Sequence, residues 1–247
     1  MNNISGIHAV REALRARPQS IRKIVVAEGS LDGRKREILS LARESGIPVY
    51  REHRDRSGAQ GVTAELVAFE WADFHELLSG AQTPAFFLAL DQIEDPRNFG
   101  AVVRAAEGAG VDGIVVTERK TAPPSEAAIS ASAGALHHTK IARVRNLADA
   151  LTEMKERGIW SVGLTPDAKA PWHSFDYTEP VILVLGSEGK GLRRRVAQTC
   201  DTLIALPQRG SIESLNVSVA AGITLYEVLR QRTKTLQRRE RSTEKRS

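Results

Sequence analysis

The sequence predicts an α/β protein: a parallel sheet covered by helices on both faces, preceded by a small α/β unit. Three observations predict it. From Ala85 onward, short and nearly unbroken apolar runs alternate with helical patterns, as expected of strands buried on both faces and joined by crossovers. The first ~70 residues show the same alternation on a smaller scale, near the lower limit for a free-standing domain. Of 247 residues, 41% are hydrophobic, enough for a sizeable core.

The elements follow in order. Ile7 to Ala16 puts Ile7, Val10, Ala13 and Leu14 on one helical face. Ile21 to Ala27 is short and β-branched, a strand. Asp32 caps a helix running through Leu41, with Ile38, Leu39 and Ala42 turned inward. Ile47–Tyr50 and Val62–Phe69 read as further strands, with an exposed arginine-rich loop, Arg51–Gly61, between them. Residues 1–71 thus form one domain. Residues 72–84, with a short helical turn, Gly80 and Pro84, read as a linker. The larger domain, 85–232, begins with strand Phe86–Leu90, helix Asn98–Gly108, strand Gly113–Thr117 and helix Ser125–Ala133. Strand Lys140–Val144, helix Leu147–Arg157 and strands Ile159–Leu164, Val181–Leu185 and Thr202–Leu206 follow, then a helix from about Ser214 to beyond Leu229. Residues 233–247 are a basic tail. No internal repeat is visible.

Composition narrows the function classes. No apolar run approaches the ~18 residues of a membrane span, and the N-terminus lacks a basic region followed by an apolar stretch, so a soluble cytoplasmic protein is expected. Cys200 is the only cysteine, which excludes an intramolecular disulfide and a multi-cysteine metal site. The six histidines show no ligand spacing, so no metal is expected. Charge is uneven: residues 1–56 carry 12 basic and 7 acidic side chains, residues 57–229 carry 15 and 21, and residues 230–247 carry 8 and 2. Two basic ends around an acidic middle suit a polyanion held from both sides, although charged termini also serve solubility alone.

Two glycine patterns invite a nucleotide reading, and both fail. Gly108-Ala-Gly110-Val-Asp-Gly113 follows a helix and precedes a strand, the reverse of a dinucleotide fingerprint. Gly186-Ser-Glu-Gly-Lys-Gly191 has Leu192 where a Walker lysine belongs. The second loop still follows the most apolar strand, at a carboxyl end where open α/β sheets bind ligands. A ligand loop and a tight surface turn with a solvated Glu188 fit it equally. Further on, Ser214 is the expected N-cap of the last helix, and Asn216 and Ser218 interrupt its apolar run. Arg104 lies among small apolar residues, where an arginine commonly holds an anion or carboxylate.

Taken together these segments resemble a known family. Asn98-x-Gly100-x-x-x-Arg104-x-Ala106, Leu185-Gly-Ser-Glu-Gly-Lys-Gly-Leu192 and Leu206-Pro…Gly210…Ser214-Leu-Asn-Val-Ser218 are similar, in order and spacing, to the three signature motifs of the SpoU/TrmH family. These are trefoil-knotted (SPOUT-class), S-adenosylmethionine-dependent RNA 2′-O-ribose methyltransferases. Gly6-Ile-His-Ala-Val and Gln60-Gly-Val-Thr-Ala resemble the family's substrate-binding domain, which is ribosomal protein L30-like. The likeness covers nearly the whole chain and is nearest to the subfamily that methylates a guanosine in 23S rRNA. Gln208-Arg209 departs from it, since members more often carry methionine after the proline; a change in contacts near the cofactor is expected there, without loss of activity.

The resemblance implies roles. Gly186, Ser187, Gly191, Leu206 and Leu215 would cradle S-adenosylmethionine. Arg104 would activate the ribose hydroxyl. Because arginine does not normally lose its proton, electrostatic stabilisation of the alkoxide is favoured over general-base catalysis. Asn98, Glu188, Ser214 and Asn216 would orient arginine, phosphate and ribose. Arg51, Arg54 and Arg56 would contact RNA. No DNA or membrane partner is expected. A homodimer through the knot region and the last helix is expected, since Val217, Val219, Ala220, Ile223, Leu225, Val228 and Leu229 are more apolar surface than one core-facing side needs. The rival readings are methylation of a tRNA guanosine and a catalytically silent RNA-binding protein. Intact Arg104, Glu188 and Asn216 argue against the second.

Overall fold

A computed structural model of the chain describes residues 3–16, 18–28, 32–52, 61–66, 69–210 and 214–244, with side chains in the last helix described to residue 237. Two units divide it, Met1–Glu70 and Trp71–Ser247.

In the first unit, strands β1 (Asn3–Ser5), β2 (Ile21–Ala27), β3 (Val49–Glu52) and β4 (Val62–Leu66) form a mixed sheet in the order β1-β4-β2-β3. Helices α1 (Ile7–Ala16) and α2 (Gly33–Glu44) complete it. Asp32 accepts a hydrogen bond from Lys35 N at 2.8 Å and so caps α2, as the sequence predicts. The apolar face of α1, with Val10 and Leu14, meets Ile24, Val26, Ile38, Val62 and Ala64 in one core. Two boundaries move: the strand expected at Ile47–Tyr50 spans Val49–Glu52, and that expected to reach Phe69 covers Val62–Leu66 without Phe69, residues 67–68 lying outside the described ones. Arg51 is therefore a strand residue, exposed on β3, while Arg54 and Arg56 lie outside the described residues.

The second unit is built on seven strands: β5 (Phe86–Asp91), β6 (Gly113–Thr117), β7 (Ile141–Val144), β8 (Trp160–Leu164), β9 (Ala170–Pro171), β10 (Val181–Gly186) and β11 (Thr202–Ala205). Their order is β7-β6-β5-β10-β8-β11-β9, and every pairing is parallel. All six residues of β5 and all five of β6 are buried, which explains the apolar runs Phe86–Leu90 and Ile114–Val116 that precede Asp91 and Thr117; each fully buried Leu, Val or Phe contributes about 1.5–3 kcal/mol. The helices are α3 (Phe74–Ser79), α4 (Pro96–Gly108), α5 (Glu126–Ala131), α6 (Leu147–Glu156), α7 (Arg194–Thr199) and α8 (Val217–Glu244). Asp73, Asp95, Ser125 and Asn146 cap the first four through their side chains.

Two expectations need correction. Residues 72–84 are not a free linker: Leu77 and Leu78 of α3 are buried in the core of the larger unit, and Ala72 N donates to Ile141 O. Ser214 does not cap the last helix, which begins three residues later. Asn216 caps it instead, its Oδ1 accepting from Ser218 N at 3.0 Å and Ser218 Oγ at 2.5 Å.

Candidate functional site

Parallel strands deliver their following loops to one edge of the sheet, and three such loops meet here. β5 and β10 are neighbours in register, with Gly186 opposite Asp91, so the 91–98 and 186–191 loops start side by side. Asp91 is fully buried and holds them together: its carboxylate accepts from Arg193 N at 2.9 Å and pairs with Arg193 Nε at 2.7 Å. Sequence reasoning missed this clamp, because the partners are 102 residues apart.

The 186–191 loop folds on itself. Gly191 N donates to Ser187 O at 2.8 Å, and Gly189 and Gly191 take left-handed φ of 76° and 63°. Gly186 lies against the returning backbone, where a Cβ would stand 2.1 Å from the carbonyl carbon of Gly191. Glu188 projects from the turn toward the start of α8. Its Oε1 accepts from Asn216 Nδ2 at 2.5 Å and from Val217 N at 3.2 Å, and Asn216 Nδ2 also donates to Asn98 Oδ1 at 2.9 Å. One amide thus joins residues from three distant segments, and a charged acceptor shortens its bond.

Two cavities flank this junction. The larger, about 210 Å³, is a cleft walled by Leu164, Pro166, Leu185, Leu206, Leu215, Val217 and Ala220, with Gly186, Ser187, Gly189, Gly191 and Ser214 on its polar side. Among the described residues, Glu188 is its only charged wall. The smaller, about 190 Å³, is polar and lies over the 92–98 segment, sharing Ser187, Glu188 and Val217 with the first. A ligand with an apolar ring and a positive charge suits the cleft, and a polar substrate placed in the second cavity would meet it at the shared wall.

All five residues expected to hold a cofactor therefore line one cleft, and Ser214 lines it with them. Leu164, Thr165 and Pro166, at the end of β8, were missed; their signal was a Thr-Pro pair directly after a strand. Arg104 is the residue the structure does not bring in. It is exposed on α4, lines neither cavity, and has no hydrogen-bond or ion-pair partner among the described residues. Cys200 is no nucleophile, since burial, and then the nearby Asp201 and Asp91 charges, push its thiol up to about 12. Among the described residues no group of three or more His, Cys, Asp or Glu is placed to hold a metal ion, and no helix is long and apolar enough to cross a membrane.

Comparison with known proteins bears on the same loops. The model of the SpoU rRNA methylase family matches residues 85–226, and that of the RNA 2′-O ribose methyltransferase substrate-binding domain matches residues 4–71. The chain is 40% identical over 238 residues to the "Putative TrmH family tRNA/rRNA methyltransferase YacO" of Bacillus subtilis, covering 93% of this chain and 95% of that protein. It is 36% identical over 241 residues to the "23S rRNA (guanosine-2'-O-)-methyltransferase RlmB" of Pseudomonas putida, covering 94% and 97%. Among solved structures, the AdoMet-bound rRNA methyltransferase from Sinorhizobium meliloti matches with a TM-score of 0.67 at 25% identity, over 92% of this chain and 86% of that one. The first match takes in all three converging loops, and the full-length relatives leave little of the chain uncovered: it belongs to the SpoU rRNA methylase family.

Proposed function

We propose that this enzyme, an S-adenosylmethionine-dependent RNA 2′-O-ribose methyltransferase, acts on a guanosine of 23S rRNA, in the cytoplasm and as a homodimer. The observation that carries the reading is the junction of Asn98, Glu188 and Asn216 on the wall between an apolar cleft and a polar cavity. The relatives named as 23S rRNA guanosine methyltransferases support the choice of substrate. The cleft fits the cofactor: leucine walls suit an adenine ring, turn backbone offers hydrogen bonds, and the anionic Glu188 tolerates a positive sulfonium. S-Adenosylmethionine would supply, when bound, an electrophilic methyl group.

The chain's own residues do the rest. Gly186, Ser187, Gly191, Leu206 and Leu215 bind and orient the cofactor. Asn98, Glu188, Ser214 and Asn216 position the ribose. Arg104 stabilises the developing alkoxide, its fixed positive charge being needed only as the hydroxyl oxygen gains charge. Residues 1–71 hold the RNA through Arg51, Arg54 and Arg56, and residues from about Val181 onward form the knot.

The dimer reading rests on α8. Val217, Ala220, Leu225 and Val228 are buried within the chain, whereas Val219, Ile223, Tyr226 and Leu229 form an exposed apolar stripe. A Cβ on Gly108 of α4 would stand 3.1 Å from the Tyr226 hydroxyl, and Arg104 lies one turn before Gly108 on the same face. Arg104 therefore borders the stripe, and we assign it to the site of the partner subunit across the seam. The test is methyl transfer from labelled cofactor to total rRNA and tRNA, with the modified nucleotide mapped. A guanosine ribose in 23S rRNA is expected. Modification of tRNA would favour the rival substrate, and no transfer would favour a silent RNA-binding protein.

A further inference from the structure

The polar cavity's side chains divide into two groups. Asp95 is committed to capping α4, accepting from Arg97 N and Asn98 N, while Asn98 and Glu188 are committed to Asn216. Gln92, Glu94, Ser187 and Lys190 also line the cavity, and among the described residues their side chains have no hydrogen-bond or ion-pair partner. The free set includes one carboxylate and one ammonium. Buried Ile93 and Val217 give the same cavity an apolar floor. Gln92 holds a φ of 63°, a left-handed conformation that non-glycine residues seldom adopt and that collects at ligand sites.

We propose that this cavity reads the target base, and that Glu94 and Lys190 make it specific for guanine. The inference rests on the reading of the enzyme as a guanosine methyltransferase and deepens it. Guanine carries two neighbouring donors on one edge, the ring N1–H and the N2 amino group, beside the acceptors O6 and N7. A carboxylate accepts both donors in a two-point bond, and an ammonium donates to O6 or N7. Adenine would turn the N1 lone pair toward the same carboxylate, and uracil offers a single N–H between two carbonyls. The floor of Ile93 and Val217 suits a flat ring. Because Ser187, Glu188 and Val217 line both cavities, a base seated in the polar one leaves its ribose at the boundary with the cofactor cleft.

The test uses short RNAs spanning the mapped target, with guanosine, inosine or adenosine at that position. The wild type is expected to prefer guanosine to inosine, which lacks the amino group, and inosine to adenosine. Glu94→Gln replaces one acceptor oxygen by a donor. It should lower kcat/KM on guanosine by about ten- to a hundredfold and narrow the guanosine-to-adenosine ratio. Calorimetric affinity for S-adenosylmethionine should be unchanged, since Glu94 does not line that cleft. Lys190→Met is the second variant, expected to narrow the same ratio, and it decides the matter should Glu94→Gln lose cofactor binding through misfolding. Wild-type discrimination in a variant that still binds cofactor would overturn the base-reading proposal. Absence of any transfer to rRNA by the wild type would instead overturn the reading on which it rests.

Discussion

Gly186 has no room for a side chain, and the obstacle is backbone. The nearest atoms to an added Cβ are the carbonyl group of Gly191 and the amide nitrogen of Leu192, at 2.1 to 2.3 Å, and unlike the tip of a flexible side chain they cannot swing aside. The glycine that the motif marks as a ligand contact is first a requirement of the turn that makes the contact possible. Gly186→Val is expected to displace residues 187–191 and abolish cofactor binding in calorimetry, with the helical content by circular dichroism largely kept. An unchanged affinity would detach this loop from the cofactor. Arg104→Ala is expected to act differently, leaving cofactor affinity intact and lowering kcat by around 10²–10³. Retained activity would remove Arg104 from the mechanism. At this scale the identities of the site residues were legible as motif letters, but their bonding was not. Asn98 and Asn216 are 118 residues apart, and nothing in the local pattern says that one amide serves both Asn98 and Glu188.

Helix α8 divides its work along its length. Its first turns cover the core and present the apolar stripe, and Arg232 then ends that part as an anchor. The guanidinium donates to the carbonyls of Pro84, Ala85, Tyr177 and Glu179 at 2.7 to 3.0 Å and lies 5.1 Å from the Phe86 ring centroid. Arg230 is likewise engaged, with Glu227. Basic residues that a charge count assigns to an RNA-binding tail are therefore partly structural. Arg232→Met should lower unfolding free energy by roughly 2–3 kcal/mol in denaturant titrations, because three part-buried carbonyls and the exposed one of Glu179 lose their donor. Ending the chain after Arg232 should leave that stability alone. It should instead flatten the dependence of log RNA affinity on log salt, by about 0.7 for each phosphate of single-stranded RNA that the tail no longer neutralises, without moving the methylation site. A truncated protein with an unaltered salt slope would assign the tail no role in holding RNA. The elements that sequence reading missed are those with weak patterns. β1 has three residues, β9 has two and includes Pro171, and α7 buries only Val196 in a polar run. The long apolar strands β5, β6 and β10 were plain, because burial on both faces leaves no alternation to misread.

For the whole molecule, the question is whether one chain holds a complete site. Asn98, Glu188 and Asn216 converge within the chain, while Arg104 is exposed on α4, one turn before Gly108, which faces the Tyr226 hydroxyl. A long cationic side chain with no partner among the described residues, next to an uncovered apolar stripe, is hard to explain by stability. It is simple to explain if a second copy covers the stripe and receives the charge. The two-fold pairing that follows can be tested with two inactive variants. Arg104→Ala keeps its own Asn216 junction, and Asn216→Ala keeps its own arginine. If each arginine serves the partner subunit, a mixed dimer contains one site with both groups intact and one with neither. Random exchange makes half the dimers mixed, so an equimolar mixture should recover about a quarter of wild-type transfer. If the arginine serves its own chain, each site of the mixed dimer lacks one group, and the mixture should stay as inactive as its components. Recovery after mixing, measured as labelled methyl incorporated into rRNA once subunit exchange is complete, separates the two arrangements. Light scattering at 27.0 kDa, the mass of one chain, would exclude the shared site outright.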